Sequence, residues 1–547
     1  MKNYINKLFA GGIFAGLMLV SSCASDFLDT APTDSTGASD AVGTTGNAMK
    51  ALNGIAKIMT TQQYYFGQGF CGENNIMAHY ENYPSQNYNY NFYASGWSPI
   101  LNQEFHTRTT SIYDAYAWYY YYTIAGNANT IIANIDNAEG TDAEKKFIKA
   151  SALTFRAYAF EKLAHYYCWR WQDSNNGASQ GIVLRIDEST GGQAYSTLAE
   201  TYAQIYKDLD EAISLFNESG MDRGEGKVWL PNVNVAHAIY ARAALTKQDY
   251  AKALSEAKLA RQGYPLMSND DYHKGFCNPT SEWLFGSYGD AQENNWYWSY
   301  GTQYACNGYY TTRYATGAGA IGRELINRIP NNDTRKAMFL TEDKFPDYNF
   351  DDGSAIDMVY GLIGVNSEGK FINKDLWVEA SAYCKKMAVS GLSVPYQNGF
   401  MYLDGQLKFF VFDTPGVSYL PFIRSSEMVL VEAEANYFLS NEAAARDALM
   451  ELNATSGRNP EYTCNKTGDA LWNEIMDYRE LELWGEGFAW SDYKRWNRDV
   501  VRHGFAEGGN AHLSVARTIP ANSANKWTWD VPLNETDYND ELNLGGK

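Results

Sequence analysis

The sequence predicts a mainly α-helical fold in which tetratricopeptide-like helix pairs carry a loop-rich ligand-binding face with a few short strands. Two observations lead to this prediction. Several segments repeat apolar residues at intervals of three and four, with alanine at the positions where helices would touch. Between them lie long segments that have no helical period and are rich in Gly, Asn, Ser and aromatic residues. With 547 residues, the chain is long enough to bury a large core.

The amino-terminal segment has the pattern of a secretory signal peptide. Lys2 and Lys7 form a positive region, residues 8–20 form a short apolar run, and two serines precede Cys23. The apolar run is shorter than the roughly 20 residues that span a bilayer. We therefore predict a lipoprotein signal peptide over residues 1–22.

Cys23 is the predicted lipidation site. The sequence Val-Ser-Ser-Cys at residues 20–23 resembles the bacterial lipobox, in which the cysteine is diacylated and becomes the mature amino terminus. Several acyl chains on one residue hold a protein on a membrane without a transmembrane helix. Residues 23–47, which are rich in Ser, Thr, Ala, Gly and Asp, would then form a lipidated terminus and tether.

Helical periodicity marks five segments along the chain. We predict a first helix near residues 46–60, a second near 111–136 and a third over 143–167. Residues 235–265 read as two helices with a Lys-Gln-Asp turn and a closing proline, and residues 425–458 have the same shape. This spacing of Ala, Leu and Tyr resembles a tetratricopeptide repeat, whose helix pairs stack to bury their apolar faces.

Three long segments lack a helical period. They are residues 61–107, residues 270–320 and residues 340–420, the last with short strand-like runs such as LKFFVF. Loops of this length are uncommon in compact domains unless they bind something. The predicted organisation is an amino-terminal part over 48–270 and a carboxy-terminal part over 271–547, which together form one globular unit.

Charge and cysteine spacing exclude several classes of function. The formal charge of −20 repels phosphate backbones, so nucleic acid is not an expected partner. No Cys-x-x-Cys pair and no metal-binding histidine pattern occurs, so we predict no zinc or iron-sulfur site and no cofactor. The sequence leaves open whether the six cysteines after Cys23 form disulfides.

Calcium remains an alternative at one turn. In the sequence DYNFDDG, Asp347, Asn349 and Asp351 alternate as oxygen ligands would. An EF-hand would require Gly in place of Asp352 and Glu in place of Met358. A solvated turn is therefore the preferred interpretation.

No catalytic residue is predicted. The chain has neither a Gly-x-Ser-x-Gly elbow nor a phosphate-binding glycine loop. A pair of carboxylates, as in glycoside hydrolysis, is the alternative that sequence cannot exclude. The densest acid cluster contains Glu480, Glu482 and Glu486. On a continuous helix Arg479 would lie over Glu482, and Asp492 over Arg495, which favours ion pairs over catalysis.

The same acid cluster carries a family resemblance. The sequence YRELELWGEGFAWSDYKRW, residues 478–496, resembles the carboxy-terminal signature of the RagB/SusD family, surface lipoproteins that bind nutrients for Bacteroidetes-type bacteria. The matching positions are Arg479, Glu482, Leu483, Glu486, Gly487, Asp492, Lys494, Arg495 and Trp496. Tyr478 and Ala489 depart from the pattern, because they stand where the family usually has Glu and Arg.

Three further segments resemble the same family at corresponding places. They are FLDTAP at residues 27–32, LPFIRSSEMVLVEAEA at 420–435 and WTWDVPLNE at 527–535. The resemblance therefore covers essentially the whole mature chain. It implies four tetratricopeptide-like helix pairs and a lid that captures glycan over a SusC-like, TonB-dependent barrel. It also implies outer-membrane lipid as the partner of acylated Cys23, with the protein on the extracellular side.

The ligand residues cannot be transferred by motif, because in the family they lie in variable loops. A saccharide offers flat C–H faces and a rim of hydroxyl groups, so exposed rings and amide or guanidinium groups suit it. The loops of this chain combine both. The candidate ligand residues are Trp296, Trp298, Trp97, Tyr300, Tyr309, Tyr310, Tyr83, Tyr88, Asn295 and Arg313.

Two alternatives stay open for these loops. About half of the rings could pack against the helical scaffold instead of a ligand. If residues 296–300 are extended, Trp296, Trp298 and Tyr300 lie on the face opposite Tyr297. The predicted function is non-catalytic glycan binding, with capture of peptide or another nutrient, or a glycoside hydrolase, as alternatives.

Overall fold

The computed structural model describes residues 41–63, 70–89, 98–288, 299–308, 319–347, 362–365, 370–387, 400–411, 418–521 and 527–542. Within these ranges the helices of eight or more residues are α1 (Thr45–Ile58), α2 (Ile112–Asn134), α3 (Asp142–Tyr167), α4 (Leu198–Ser219), α5 (Val233–Thr246), α6 (Tyr250–Ala260), α7 (Lys374–Met387), α8 (Ser425–Phe438), α9 (Glu442–Met450), α10 (Gly468–Glu482) and α11 (Ala489–Trp496). Shorter helices cover Ser98–Leu101, Asn269–Tyr272, Tyr300–Tyr304, Arg323–Arg328 and Leu533–Tyr538. A further helix begins at Glu73–Asn75 and continues as a π-helix over Ile76–Asn82.

The helices pack in chain order, which confirms the predicted mainly α-helical scaffold. Each of α2 to α5 packs against the next helix, and α6 then packs against α8. The helices α8, α9 and α10 pack against one another. Alanines line many of these contacts, for example in α5, where Ala236, Ala238, Ala241, Ala243 and Ala244 are fully buried. Small side chains at a contact allow two helices to approach closely.

Capping boxes set the start of two long helices. The Thr141 hydroxyl accepts a hydrogen bond from the Glu144 backbone N–H, and the Glu144 carboxylate accepts one from the Thr141 backbone N–H. Thr197 and Glu200 make the same reciprocal pair at the start of α4. This arrangement satisfies N–H groups that a helix start leaves free.

The short strands form small antiparallel sheets. They are β1 (Tyr88–Asn89), β2 (Trp283–Gly286), β3 (Ala320–Ile321), β4 (Leu362–Val365), β5 (Phe371–Ile372), β6 (Phe400–Tyr402), β7 (Pro421–Arg424), β8 (Val500–Val501) and β9 (Thr518–Ile519). The pairs are β1 with β3, β2 with β7, and β8 with β9, while β4 lies between β5 and β6. The predicted few short strands are therefore confirmed.

Two predictions about the long loops are wrong. Residues 73–82 are helical and residues 374–387 form α7, although both lie in segments for which no helix was predicted. The run LKFFVF does not form a strand over Leu407–Val411, the part that the structure describes. Its backbone N–H groups bond to separate acceptors: Leu407 to the Met338 carbonyl, Phe410 to the Gly275 carbonyl and Val411 to the Asn307 side chain.

The core has a large part and a small part. The large part follows the helices, and the small one joins β4 and β6 to α7 through residues such as Leu340, Ile363 and Phe410. The six cysteines after Cys23 all lie in described segments, and none forms a disulfide. Among the described helices, none combines the length and the apolar character that crossing a bilayer requires.

Candidate ligand-binding face

Two aromatic-rich segments leave the scaffold side by side. Residues 90–97 and 309–318 lie outside the described part of the chain, but the residues that flank them are described. In the antiparallel pair of β1 and β3, Asn89 lies opposite Ala320. A Cβ atom on Gly319 would lie 2.3 Å from the Tyr88 ring, so glycine is required for this close approach. The two segments are therefore attached at the same end of one strand pair.

A third aromatic-rich segment, residues 289–298, ends against the same region. The helix Tyr300–Tyr304 follows it, capped by the Ser299 hydroxyl, which accepts a hydrogen bond from the Thr302 N–H. The Tyr300 backbone N–H donates to Asn74 Oδ1 at 2.8 Å, and the Tyr300 hydroxyl donates to the Gly485 carbonyl at 2.6 Å. These bonds fix the carboxy-terminal end of the segment to the scaffold.

Buried rings connect the flanks of the three segments. We call this set the ring floor; its members are His79, Tyr83, Tyr88, Tyr300, Tyr304, Phe339, Phe409 and Trp484. Tyr83 contacts both Tyr88 and Tyr304 with ring centroids 5.6 Å apart, and Tyr300 lies 4.8 Å from Tyr304. Tyr88 stacks on Trp484 at 4.8 Å and an interplanar angle of 10°. Aromatic pairs of this kind each stabilise a fold by about 0.5–1.5 kcal/mol beyond their buried area.

Three of the candidate ligand residues belong to the ring floor. Tyr83, Tyr88 and Tyr300 are 0%, 3% and 1% exposed. Their rings pack against the scaffold, which is the alternative that the sequence left open. Tyr300 also begins a helix, so the proposed alternation of an extended segment does not reach it.

The other candidates lie outside the described residues and stay predictions. They are Trp97, Asn295, Trp296, Trp298, Tyr309, Tyr310 and Arg313, together with the lipidation site Cys23. Of the calcium candidates, Asp347 is described, whereas Asn349 and Asp351 are not. Within the described ranges, no three His, Cys, Asp or Glu side chains come together in a way that could hold a metal ion.

A polar cluster that sequence analysis missed fixes the strand pair. The Asn510 amide donates to the Ile321 carbonyl at 2.8 Å and to Asp404 Oδ2 at 3.0 Å. Arg323 Nε donates to the same Asp404 oxygen at 2.9 Å, and Asn89 donates to Asn510 Oδ1. Burial raises the pKa of Asp404, although Arg323 lowers it. The residues are far apart in the chain and form no local motif, so no sequence pattern could reveal this cluster.

The ring floor rests on a buried ion network. Its carboxylates are Glu282, Asp333, Glu482 and Glu486, and its cations are Arg335, Lys408, Arg424 and Arg458, all almost fully buried. The Arg424 guanidinium lies 2.6 Å from Glu282 and 2.7 Å from Glu486. Arg335 and Arg458 hold Glu482 at 3.0 and 3.1 Å. Four negative and four positive groups balance, which is what burial of charge requires.

Burial and charge act against each other in this network. Burial alone would raise the pKa of Glu482, but Arg458, Arg424 and Arg335 outweigh burial and lower it. Burial lowers the pKa of Lys408 to about 8, even though Glu486 lies 2.6 Å away. Of the three acids that raised the possibility of hydrolysis, Glu482 and Glu486 are buried and held by cations, whereas Glu480 accepts a hydrogen bond from the Asn87 amide and forms no ion pair within the described residues.

The predicted spacing of ion pairs in this segment is only partly correct. Helix α10 ends at Glu482, because Gly485 and Gly487 adopt φ values of 77° and 83° in the turn that follows. Arg479 pairs with Asp492 at 2.6 Å, whereas Glu482 on the same helix pairs with Arg335, Arg424 and Arg458. The predicted pair of Asp492 and Arg495 is confirmed at 2.9 Å.

Two family models match the chain and together cover most of its length. The model of the SusD family matches residues 247–543, which is more than half of the chain. The chain belongs to the SusD family. A second model, SusD-like, described as "Starch-binding associating with outer membrane", matches residues 26–245. The two matches meet between residues 245 and 247, and the predicted division at 270 and 271 stays a prediction.

Solved structures of SusD-like proteins share the fold of the chain. A SusD-like carbohydrate binding protein from Bacteroides vulgatus is 21% identical with a TM-score of 0.70, covering 92% of this chain and 98% of that one. A putative sugar binding protein from the same species is 22% identical with a TM-score of 0.65, covering 93% and 100%. A SusD superfamily protein from Bacteroides thetaiotaomicron is 20% identical with a TM-score of 0.66, covering 91% and 99%. No curated protein sequence matches the chain.

The SusD signature of this chain serves the scaffold. Five of its charged residues, Arg479, Glu482, Glu486, Asp492 and Arg495, form buried or partly buried ion pairs, and Lys494 donates to the backbone carbonyls of His165 and Cys168. At one departure from the signature, the Tyr478 ring lies beneath the Arg335 guanidinium at 5.1 Å.

Proposed function

We propose that this SusD-family protein binds oligo- or polysaccharide at the cell surface without catalysis. The observation that supports the proposal is the common attachment of three aromatic-rich segments around the ring floor. Those segments contain Trp296, Trp298 and Trp97 together with Asn295 and Arg313. Indole and phenol rings would stack on the C–H faces of the sugar, while the amide and guanidinium groups hydrogen-bond its hydroxyl groups.

The described scaffold fixes the positions at which the three segments begin and end. The ring floor and the balanced ion network fix the flanks of the segments before a ligand arrives, which lowers the entropy cost of association. His79 in the floor stays neutral, because burial lowers its pKa to about 3. The chain as a whole carries a formal charge of −20, so we expect neutral glycans to bind better than polyanionic ones.

Delivery to a transporter completes the proposal. The second family model carries the words "associating with outer membrane", and the sequence has the pattern of a lipoprotein signal peptide ending at Cys23. We infer that acylated Cys23 holds the protein in outer-membrane lipid on the extracellular side. A SusC-like, TonB-dependent transporter would then receive the captured glycan.

A turnover assay tests the non-catalytic part of the proposal. The soluble form that lacks residues 1–23 is incubated with a set of polysaccharides, and released reducing ends are measured. We expect binding without release above the rate of the polysaccharide alone. Sustained release of reducing ends would overturn the binding-only role, and binding of peptides but of no polysaccharide would favour peptide capture by the same architecture.

A further inference from the structure

Two cavities lie inside the scaffold on either side of the turn between α10 and α11. The first lies among α3, α5, α8, α10 and α11, and its lining includes Glu161, Lys162, Arg242 and Arg495. The second lies between the π-helix, β1 and the same turn, and its lining includes Asn87 and Glu480. Arg479, Phe488 and Asp492 line both cavities and separate one from the other.

Some side chains that line these cavities have buried polar atoms without a hydrogen-bond partner. Among the described residues, Glu161 Oε2 and Arg479 Nη1 make no hydrogen bond and are inaccessible from outside, and both residues line the first cavity. At the second cavity, Glu480 Oε1 is equally inaccessible and makes no close hydrogen bond of its own, although the Tyr493 hydroxyl interacts with the same carboxyl group. An unpaired buried polar atom costs about 1–3 kcal/mol, and more when it is charged. Three such atoms beside two cavities indicate that something in the cavities pairs them.

The other bonds of these groups leave those atoms free for a small partner. Arg479 uses its Nε to donate to Asp492 Oδ2 at 2.6 Å. The other oxygen of Glu161, Oε1, lies 2.9 Å from His165 Nδ1. Glu480 Oε2 accepts a hydrogen bond from the Asn87 amide. Each side chain is thus held in place beside a cavity that it lines.

The cavities have the size of water molecules. The centre of a water-sized sphere can move through about 30 Å³ in the first cavity and about 20 Å³ in the second. A single water needs at least about 10–15 Å³ on this measure, together with two to four polar partners. The first cavity therefore has room for one or two waters and the second for one.

The charge around the first cavity favours a neutral occupant. Its cations are Lys162, Arg242, Arg479 and Arg495. Their positive charges are matched by the negative charges of Glu161, Glu427 and Asp492 in the lining. Glu434, which does not line the cavity, forms an ion pair with Arg495 and supplies the fourth negative charge. With four charges of each sign, an additional ion of either sign would be uncompensated in a buried site.

We propose that both cavities are permanent hydration sites that hold ordered water. Water in the first cavity accepts a hydrogen bond from Arg479 Nη1 and donates one to Glu161 Oε2, which connects α10 to α3. Water in the second donates to Glu480 Oε1 beside Asn87, which precedes β1. The turn between α10 and α11 is therefore in contact with water on its buried side. These waters link the helical scaffold to β1, the strand that precedes residues 90–97.

A crystal structure of the soluble form tests the proposal without any substitution. At a resolution that resolves waters, we expect density within hydrogen-bond distance of Arg479 Nη1, Glu161 Oε2 and Glu480 Oε1. Crystals soaked in bromide should give no anomalous peak in either cavity. Empty cavities, a bromide peak, or side chains that have moved to pair the three atoms directly would each overturn the proposal.

Filling the second cavity gives an independent readout. Ala489 lines this cavity, and Ala489→Val adds two methyl groups at its wall. If the cavity holds water, the substitution displaces it, leaves Glu480 Oε1 unpaired and lowers the Tm by at least about 2 °C. The matched control is Ala470→Val at an exposed site of α10, which reports the helix propensity of valine alone. A Tm for Ala489→Val at or above that of the control would indicate a dry cavity and contradict the proposal.

Discussion

Tyr83, Tyr88 and Tyr300 are buried rings among the residues that flank the aromatic-rich segments. The excess of tyrosine in the chain indicates a recognition surface, yet these three side chains are at most 3% exposed. Whether a ring points outward depends on its partners in space. Tyr300 is turned inward by the Gly485 carbonyl and Tyr88 by Trp484, both far away in sequence. The sequence predicted the place of these rings but not their burial.

The first prediction concerns the side chains of Trp296 and Trp298. We expect Trp296→Ala and Trp298→Ala each to raise the Kd for a bound polysaccharide about tenfold, because a stacking ring is lost, equivalent to about 1.4 kcal/mol. Calorimetric titration measures the effect. Tyr538→Ala, at an exposed ring outside these segments, is the control and should leave the Kd unchanged. Unchanged affinity in both tryptophan variants would remove this segment from the binding site.

Glu480 gives a prediction about pH. Burial raises its pKa from 4.5 to about 7 in the folded chain. Between these two values the folded state holds a proton that the unfolded state has released, so stability falls as pH rises through this window. Glu480→Gln removes that loss, and its Tm should exceed that of the wild type at pH 8 but not at pH 4.5.

Thermal unfolding at both pH values measures this effect. The exposed Glu225→Gln serves as the control, since it changes the same charge without burial. Equal Tm differences between Glu480→Gln and the wild type at the two pH values would contradict an enclosed, titrating carboxylate.

At the scale of elements, periodicity predicted most of the helical scaffold. The helices α1, α2, α3, α5, α6, α8 and α9 lie within a few residues of the predicted ranges. Helix α4 received no prediction, although its capping box, Thr197 and Glu200, is visible in the sequence. Helix α7 lies in a segment where strand-like runs hid its period. The strand predicted at LKFFVF is wrong. A short apolar run that is buried on all sides has the composition of a buried strand, and the residues that surround it in space cannot be read from the sequence.

Helix α10 ends earlier than the spacing of the charged residues predicts, because two glycines with positive φ follow it. Residues 479–492 have the spacing of ion pairs on one helix, yet the chain turns after Glu482. Glycines at 485 and 487 carried the signal, since positive φ values favour glycine and end a helix. The turn places Glu482 and Glu486 in the network of buried ions, where three arginines and one lysine meet them.

That network carries a prediction for the joined elements. Glu482→Gln leaves Arg335, Arg424 and Arg458 with too little negative charge in a buried site, and we expect a loss of about 3–5 kcal/mol in the free energy of unfolding. Denaturant titration measures it. The control is Lys466→Met, which removes a surface pair with Glu474 and should cost no more than about 1 kcal/mol. A loss at Glu482 no larger than at Lys466 would contradict the structural role of the network.

At the scale of the whole molecule, the cysteines predict insensitivity to reducing agents. All six cysteines after Cys23 are free in the structure, and burial raises the pKa of Cys277 to about 11 and that of Cys384 to about 12. We therefore expect the Tm of the soluble form to be the same with and without a thiol reductant. A clear drop in Tm upon reduction would reveal a disulfide that supports the fold.

The family assignment was accessible from the sequence, whereas the ligand was not. The signature segment is dense in charged and glycine residues because it builds the scaffold turn and its ion network, and such constraints leave a recognisable pattern. Under the proposed function, selection of a sugar would depend on how rings and amides are arranged in the segments around residues 97, 296 and 309. That arrangement follows from loop conformation and leaves no comparable pattern in one chain.

Retardation of the soluble form in native gels cast with individual polysaccharides tests the central claim most directly. We expect at least one neutral polysaccharide to slow the wild-type protein strongly and to slow the Trp296→Ala and Trp298→Ala variants less. The migration of Tyr538→Ala should match that of the wild type. Equal migration in every polysaccharide gel and in its absence would contradict the claim that this SusD-family protein binds glycan through its aromatic-rich segments.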